Sequence, residues 1–230
     1  MKLYVYCLAE HVDTPAVSRG VSGATVELVE IAGFSVLVSR AGETVPVTRE
    51  NVLAHDSVVR GVLDRTTPLP FRFGTLTTEK ELASYLETRK PVIKTRLELV
   101  SGCFEMSVKI ISNADQAALQ AEKNDLGPGA AFLERKRRDI FGSEQAKEVA
   151  AWLRDEVGEV REEQVSLCPT EKLIVAAAHL VEREQLGTYR DRVANARKLR
   201  TELHFLVSGP WAPYSFSNID LEFKTQFGVS

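Results

Sequence analysis

The sequence predicts an α+β protein of two domains, the C-terminal one a modified ferredoxin-like antiparallel sheet with helices on one face. Three observations predict it. Short alternating apolar runs open the chain and recur in pairs split by small turn residues, the pattern of antiparallel strands. Between them lie capped segments with apolar residues three and four apart, the pattern of amphipathic helices. From Pro91 onward the order reads β-β-α-β-α-β with an extra helix in the first crossover, which folds a sheet covered on one face. The division falls at 90/91: residues 1–90 are an N-terminal α+β domain, and 91–230 form the C-terminal domain, tail included.

The elements follow in order. "MKLYVYCLAE" alternates from its start, with Leu3, Val5 and Cys7 on one face and Tyr4, Tyr6 and Leu8 on the other, so it is a strand. It has neither the apolar length nor the cleavage site of a secretory signal. "TVELVEIAGFSVLVSR" is a hairpin turning at Ala32-Gly33. Thr48 caps a helix whose stripe is Val52, Val59, Val62 and Leu63. Thr78 and Glu81 form a capping box on the next helix, and Pro91 ends it. "TRLELVSGCFEMSVKII" is a second hairpin turning at Ser101-Gly102, with Glu98 opposite Glu105. Pro128 starts a helix, and Ser143 caps another that runs on through Val165 with Ala146, Ala150, Leu153, Val157 and Val160 inward. "TEKLIVAAAHLVER" leans toward a buried strand. Thr188 caps a last helix with Tyr189, Val193, Ala196 and Leu203 inward, and Phe205 to Val207 is the closing strand.

Composition narrows function. The chain has 230 residues, 44% hydrophobic and 27% charged, which supports a packed core and excludes disorder. A net charge of -3 gives no bulk attraction to nucleic acid or membranes. No stretch approaches the ~18 apolar residues of a membrane span. Cys7, Cys103 and Cys168 are far apart and form no CxxC, so they read as small buried hydrophobes.

Motifs for catalysis are missing. His11, His55, His179 and His204 are scattered outside any metal-ligand spacing, and each reads as structural or solvent-facing. There is no GxSxG, and "GPGAAFLERKRR" lacks both the P-loop lysine and the three glycines of a dinucleotide site. The basic run within Glu134–Asp139 reads as a solvated face, an acidic partner being the sharper alternative. The second hairpin would show Arg96, Glu98, Glu105, Ser107 and Lys109 outward, with none of the aromatics that RNA recognition needs. No cofactor and no metal is implied.

What remains is aromatic chemistry held by prolines. In "PLPFRFGTL", Pro68 and Pro70 keep the backbone extended, so Phe71 and Phe73 share one side and Arg72 takes the other. "GPWAPYSF" repeats the device, with Trp211 between Pro210 and Pro213 and with Tyr214 and Phe216 two apart. One reading is a pair of plugs sealing a domain seam. The other is a preordered docking surface for an apolar protein partner, for which Arg72, Trp211 and Tyr214 are the candidate contact residues.

"LPFRFGT", the G-x-x-E-x-x-V-K spacing at Gly102, Glu105, Val108 and Lys109, and the terminal "GPWAPYSF" together resemble the GvpF/GvpL family of gas vesicle proteins, in order and over nearly the whole chain. The resemblance implies a non-enzymatic accessory or minor structural protein of gas vesicle formation. It would bind the hydrophobic shell protein and other gas vesicle accessory proteins, in the cytoplasm at the vesicle, and support nucleation or assembly. It implies no nucleic acid, no lipid membrane and no catalytic residue, and leaves self-association open. The competing readings are an enzyme of ferredoxin-like type and a ferredoxin-like module that binds a small molecule or nucleic acid.

Overall fold

The first strand, β1 (Lys2–Ala9), is buried along nearly its whole length and lies inside a sheet. The computed structural model describes residues 2–10, 12–112, 144–167 and 173–219. The expectations placed on His11, Pro128, the run 134–139, Ser143 and Cys168 fall outside those residues. The described chain divides into two compact units, Met1–Glu105 joined by the segment from Pro210, and Met106–Gly209. This differs from the division expected at 90/91, because the second helix of the first unit continues well past Pro91 and the aromatic tail joins that unit.

In the first unit, β2 (Val26–Ile31) and β3 (Phe34–Ala41) form the expected hairpin. Ala32 and Gly33 both have positive φ, 55° and 79°, as a two-residue turn matched to strand twist requires. The sheet runs β2-β3-β1-β4, where β4 is Leu69–Pro70, and β5 (Leu76–Thr77) also pairs with β1. A bulge between Val5 and Cys7 shifts the pairing of β1 with β3. The alternation expected for β1 therefore reverses midway. Cys7 and Ala9 join Tyr4 and Tyr6 in one cluster with Val26, Leu37, Val58, Val59 and Val62.

Helix α1 (Arg49–Leu63) starts where expected, with Thr48 Oγ1 accepting the Asn51 N–H at 3.2 Å. Its inner stripe is Asn51, His55, Val58, Val59, Val62 and Leu63. Val52, expected inside, is 42% exposed. Helix α2 (Glu79–Val100) carries the capping box: Thr78 Oγ1 accepts the Glu81 N–H, and the Glu81 carboxylate accepts the Thr78 N–H at 2.9 Å.

Pro91 does not end α2. The helix runs through it, with Leu82, Leu86, Ile93, Leu97 and Val100 buried. An interior proline costs about 3 kcal/mol. Burying Ile93, Leu97 and Val100 contributes about 1.5–3 kcal/mol each, so the helix wins. The second hairpin is accordingly absent. Ser101 caps the helix and Gly102, at φ 72°, turns the chain into β6 (Cys103–Ser112). Glu98 sits on α2 and Glu105 is buried on β6, so their expected facing does not occur.

In the second unit, helix α3 covers 144–157, followed by β7 (Glu162–Leu167), β8 (Leu173–Glu182), α4 (Leu186–Leu199) and β9 (Leu203–Trp211). With β6 first, the described elements follow β-α-β-β-α-β in a sheet of order β7-β8-β6-β9, the plan of the ferredoxin-like motif. Met106, Val108 and Ile110 of β6, Val175, Ala177 and Val181 of β8, and Leu203 and Phe205 of β9 share one cluster with Ala146, Val149 and Leu153 of α3 and with Tyr189 and Val193 of α4. Strand residues of one parity meeting both helices place those helices on one face.

Three boundaries differ from expectation. Helix α3 stops at 157 because Gly158 takes φ 70°, and Arg192 Nη1 donates to the Val157 carbonyl at 3.2 Å, so 162–167 is free to pair with β8. Thr188 lies inside α4, which begins after a 3-10 turn at Arg183–Gln185. Leu203 belongs to β9 and not to α4. Cys7 and Cys103 are buried free thiols.

Candidate functional site

The aromatic tail sits at the end of β9. Pro210 and Trp211 close the strand, and Tyr214–Ser217 form a single-turn helix, α5, ended by Asn218 in the left-handed region at φ 46°. Ala212, Pro213, Phe216, Ser217 and Ile219 are buried. Their burial fixes the backbone on which Trp211 is carried outward, 39% exposed.

Two hydrogen-bonded latches hold this turn. Ser215 donates twice to Glu105, from its amide to Oε2 at 2.8 Å and from Oγ to Oε1 at 2.7 Å. Burial pushes the Glu105 carboxyl pKa up, while the Ser215 hydrogen bonds pull it back. The second latch is Tyr214 Oη with His55 Nε2 at 3.1 Å. His55 Nδ1 is in turn bonded to Tyr4 Oη at 3.0 Å, and Tyr4 Oη accepts the Gly74 N–H at 3.1 Å.

His55 thus ties the two proline-stiffened segments together. Phe73 lies 5.9 Å and Tyr214 6.4 Å from its ring. Phe73 also stands edge-on to Tyr4, at 6.0 Å. Phe71 is buried, and its amide donates to the Tyr6 carbonyl at 2.8 Å. Arg72 is exposed at the start of a tight turn in which the Thr75 N–H returns to its carbonyl. Of the three candidate residues, Trp211 and Tyr214 share one segment, while Arg72 stands on the β4–β5 turn. The Trp211 ring faces outward. Tyr214 is half-buried with its hydroxyl on His55.

Burial pushes the His55 pKa down to about 4, against a hydrogen bond with the Phe71 backbone that raises it. The folded state therefore holds this proton less tightly than the unfolded chain, whose histidine titrates near 6.5. Stability from His55 is complete above that value, declines as pH falls below it, and is lost by about pH 4. The loss amounts to about 3 kcal/mol. Denaturant titrations at neutral pH and at pH 4 should show it in the wild type, and His55→Gln should lack that share. Glu105 acts in the opposite sense, which is why the comparison is between variants.

Beside Trp211, the Arg60 guanidinium carbon stands 5.8 Å from the ring centre. The hollow there, lined by Asp56, Val59, Arg60, Leu63, Pro210, Trp211 and Ala212, measures about 10 Å³, room for a single water. On the other flank of α1 a wide-open concavity of about 400 Å³ is lined by Ala16, Val17, Ser57, Arg60, Gly61, Asp64 and Arg65.

The second unit holds a polar chain for which the sequence carried no signal. His179 is fully buried on β8, with Nδ1 bonded to Tyr189 Oη at 2.6 Å and Nε2 3.6 Å from Glu163 Oε1. Arg154 Nε donates to Glu163 Oε2 at 2.6 Å. Tyr189 is only 3% exposed, so no ligand reaches its hydroxyl. The arrangement braces α3, β7, β8 and α4 together. Among the described residues no three metal-ligating side chains stand together, and no helix is long and apolar enough to cross a membrane.

The model of the family described as gas vesicle synthesis protein GvpL/GvpF matches residues 2–218. The chain is similar to gas vesicle protein F1 of Halobacterium salinarum, at 26% identity over 232 residues covering 98% of this chain and 97% of that protein. Its fold is similar to the crystal structure of the gas vesicle protein GvpF from Anabaena sp. PCC7120, with a TM-score of 0.80 and 23% identity over 96% of this chain and 97% of that one. It is also similar to that of GvpF from Microcystis aeruginosa, with a TM-score of 0.78 and 24% identity over 94% and 98%.

Proposed function

Since the chain belongs to the gas vesicle synthesis protein GvpL/GvpF family, we propose that it acts in gas vesicle formation as a non-enzymatic accessory or minor structural protein. In this reading it binds the hydrophobic shell protein and supports nucleation or assembly, in the cytoplasm at the vesicle and alongside other gas vesicle accessory proteins. A vesicle shell subunit must present a water-repelling face, which invites premature aggregation. A partner with a rigid apolar anchor can cover that face and release it at the growing shell.

One observation carries the reading. Trp211 is exposed on a segment whose neighbours are buried and latched, so its ring is offered with little entropy left to lose. Aromatic side chains presented this way dominate protein contacts. Arg72 contributes an exposed cation from the β4–β5 turn, and Tyr214 fixes the backbone beneath the anchor.

The test is capture of purified shell protein by the full chain. Trp211→Ala should reduce the captured amount about tenfold or more, the loss of a contact worth roughly 1.4 kcal/mol or above. Its circular dichroism should match the wild type. Unchanged capture with an intact fold would remove Trp211 from the contact.

A further inference from the structure

The polar chain of the second unit joins a fully buried histidine to an exposed cation. Arg154 of α3, Glu163 of β7 and Tyr189 of α4 are the charged and titratable groups that face His179 on β8. Strands β6 and β9 add apolar side chains such as Val108 and Phe205, and Arg192 of α4 donates instead to the Val157 carbonyl. The proton positions follow from the donors and acceptors. Glu163 Oε1 stands 3.6 Å from His179 Nε2, and a lone pair on that nitrogen would face the carboxylate charge, so the ring carries its hydrogen on Nε2. Nδ1 is then the acceptor, and the Tyr189 hydroxyl donates to it at 2.6 Å. Burial pushes the Tyr189 pKa up, so it stays a phenol. Glu163 Oε1 and His179 Nε2 are both buried and have no hydrogen-bond partner among the described residues. The other carboxylate oxygen, Oε2, accepts from Arg154 Nε. One cation thus already balances Glu163, and a second charge on the ring costs desolvation with little in return. Burial accordingly holds the His179 pKa below its ordinary value. The Glu163 carboxylate opposes that shift, and Arg154 adds to it.

We propose that this chain is a proton switch set by Arg154: while the guanidinium sits on Glu163 the His179 ring is neutral, and when the guanidinium leaves, His179 takes up one proton and replaces it as the cation on Glu163. The Arg154 side chain is 60% exposed, against 15% for Glu163 and none for His179. The charge that neutralises the site is therefore the member of the chain that solvent and partners reach. Without it the carboxylate faces an uncharged ring. An imidazole ordinarily holds its proton to about pH 6.5 and a glutamate to about pH 4.3, so the proton that the pair gains lodges on the ring. It enters at Nδ1. The hydrogen bond there reverses, with Nδ1–H donating and the Tyr189 hydroxyl turning to accept. An anionic group that takes the guanidinium from Glu163 then binds with uptake of one proton, and more tightly at lower pH. The inference goes beyond the shell-docking reading and does not rest on it.

A pH titration of the full chain, followed by NMR on the ring resonances of His179, tests this. At neutral pH the wild type should show the uncharged Nε2–H tautomer, with a midpoint below about 6.5. Arg154→Met should raise the midpoint by about one unit or more, a tenfold gain in proton affinity. Arg154→Lys keeps a cation and should stay nearer the wild type. Adding Glu163→Gln to Arg154→Met should abolish the rise, because the carboxylate is what holds the proton. Circular dichroism should be unchanged in both Arg154 variants, since that side chain is mostly exposed. A wild type already protonated at neutral pH, or carrying its hydrogen on Nδ1, overturns the proposal. So does an unmoved midpoint in Arg154→Met, an equal rise in Arg154→Lys, or a rise that survives the loss of Glu163.

Discussion

Phe216→Ala is expected to lower the stability of the first unit by about 3–5 kcal/mol. Phe216 is fully buried on α5, a turn that packs on α2 and β4. Truncation leaves a void that a single helical turn latched at two points cannot collapse to fill. The tail would also lose the packing that keeps Ser215 on Glu105 and Tyr214 on His55. Denaturation followed by Trp211 fluorescence, in a Trp152→Phe background, reads this unit alone. Phe216→Leu should recover more than half of the loss. A cost below about 1 kcal/mol for Phe216→Ala would mean that the segment is not part of that core.

Gly20→Ala is expected to cost a comparable amount, about 3–5 kcal/mol, from overpacking and from broken hydrogen bonds together. A Cβ on Gly20 would overlap Tyr6 Oη outright and stand 2.7 Å from Tyr6 Cζ. Tyr6 cannot swing aside. Its ring is fully buried and its hydroxyl accepts the Val21 N–H at 3.0 Å while bonding Ser39 Oγ at 2.9 Å. Tyr6→Phe alone strands the Val21 N–H and should cost about 1–3 kcal/mol. The double variant should cost less than the sum, because the hydroxyl that clashes has gone. Strict additivity in a denaturant series would show that the clash is relieved elsewhere.

Where a feature was set by a few neighbouring residues, the sequence disclosed it. Ala32-Gly33 names a hairpin turn, Thr48 and Thr78 name helix starts, and Tyr189, Val193 and Ala196 name the inner face of α4. Where distant packing overruled a local preference, it did not. Pro91 is a helix breaker by its own chemistry, and only the burial of Ile93, Leu97 and Val100 carries α2 through it. The bulge in β1 depends on pairing with β3 and has no signature in "YVYCLA". Gly158 stood inside a run whose charges suited one long helix, and its positive φ decided otherwise. At the site, the proline-flanked aromatics were legible as a stiff segment. Their connection was not: His55 reaches Tyr4 across 51 positions of sequence and Tyr214 across 159, and Glu105 reaches Ser215 across 110. Neither partner can be read from local spacing.

The first unit is closed by residues that the ribosome adds only after the whole second unit has been made. Ala212, Phe216 and Ile219 fill a core whose remaining members lie before residue 106. During synthesis the nascent sheet must therefore wait, incomplete, while about a hundred further residues emerge. A chain stalled or cleaved before residue 210 would leave Glu105 and His55 facing water, and would be marked for proteolysis at its oldest part.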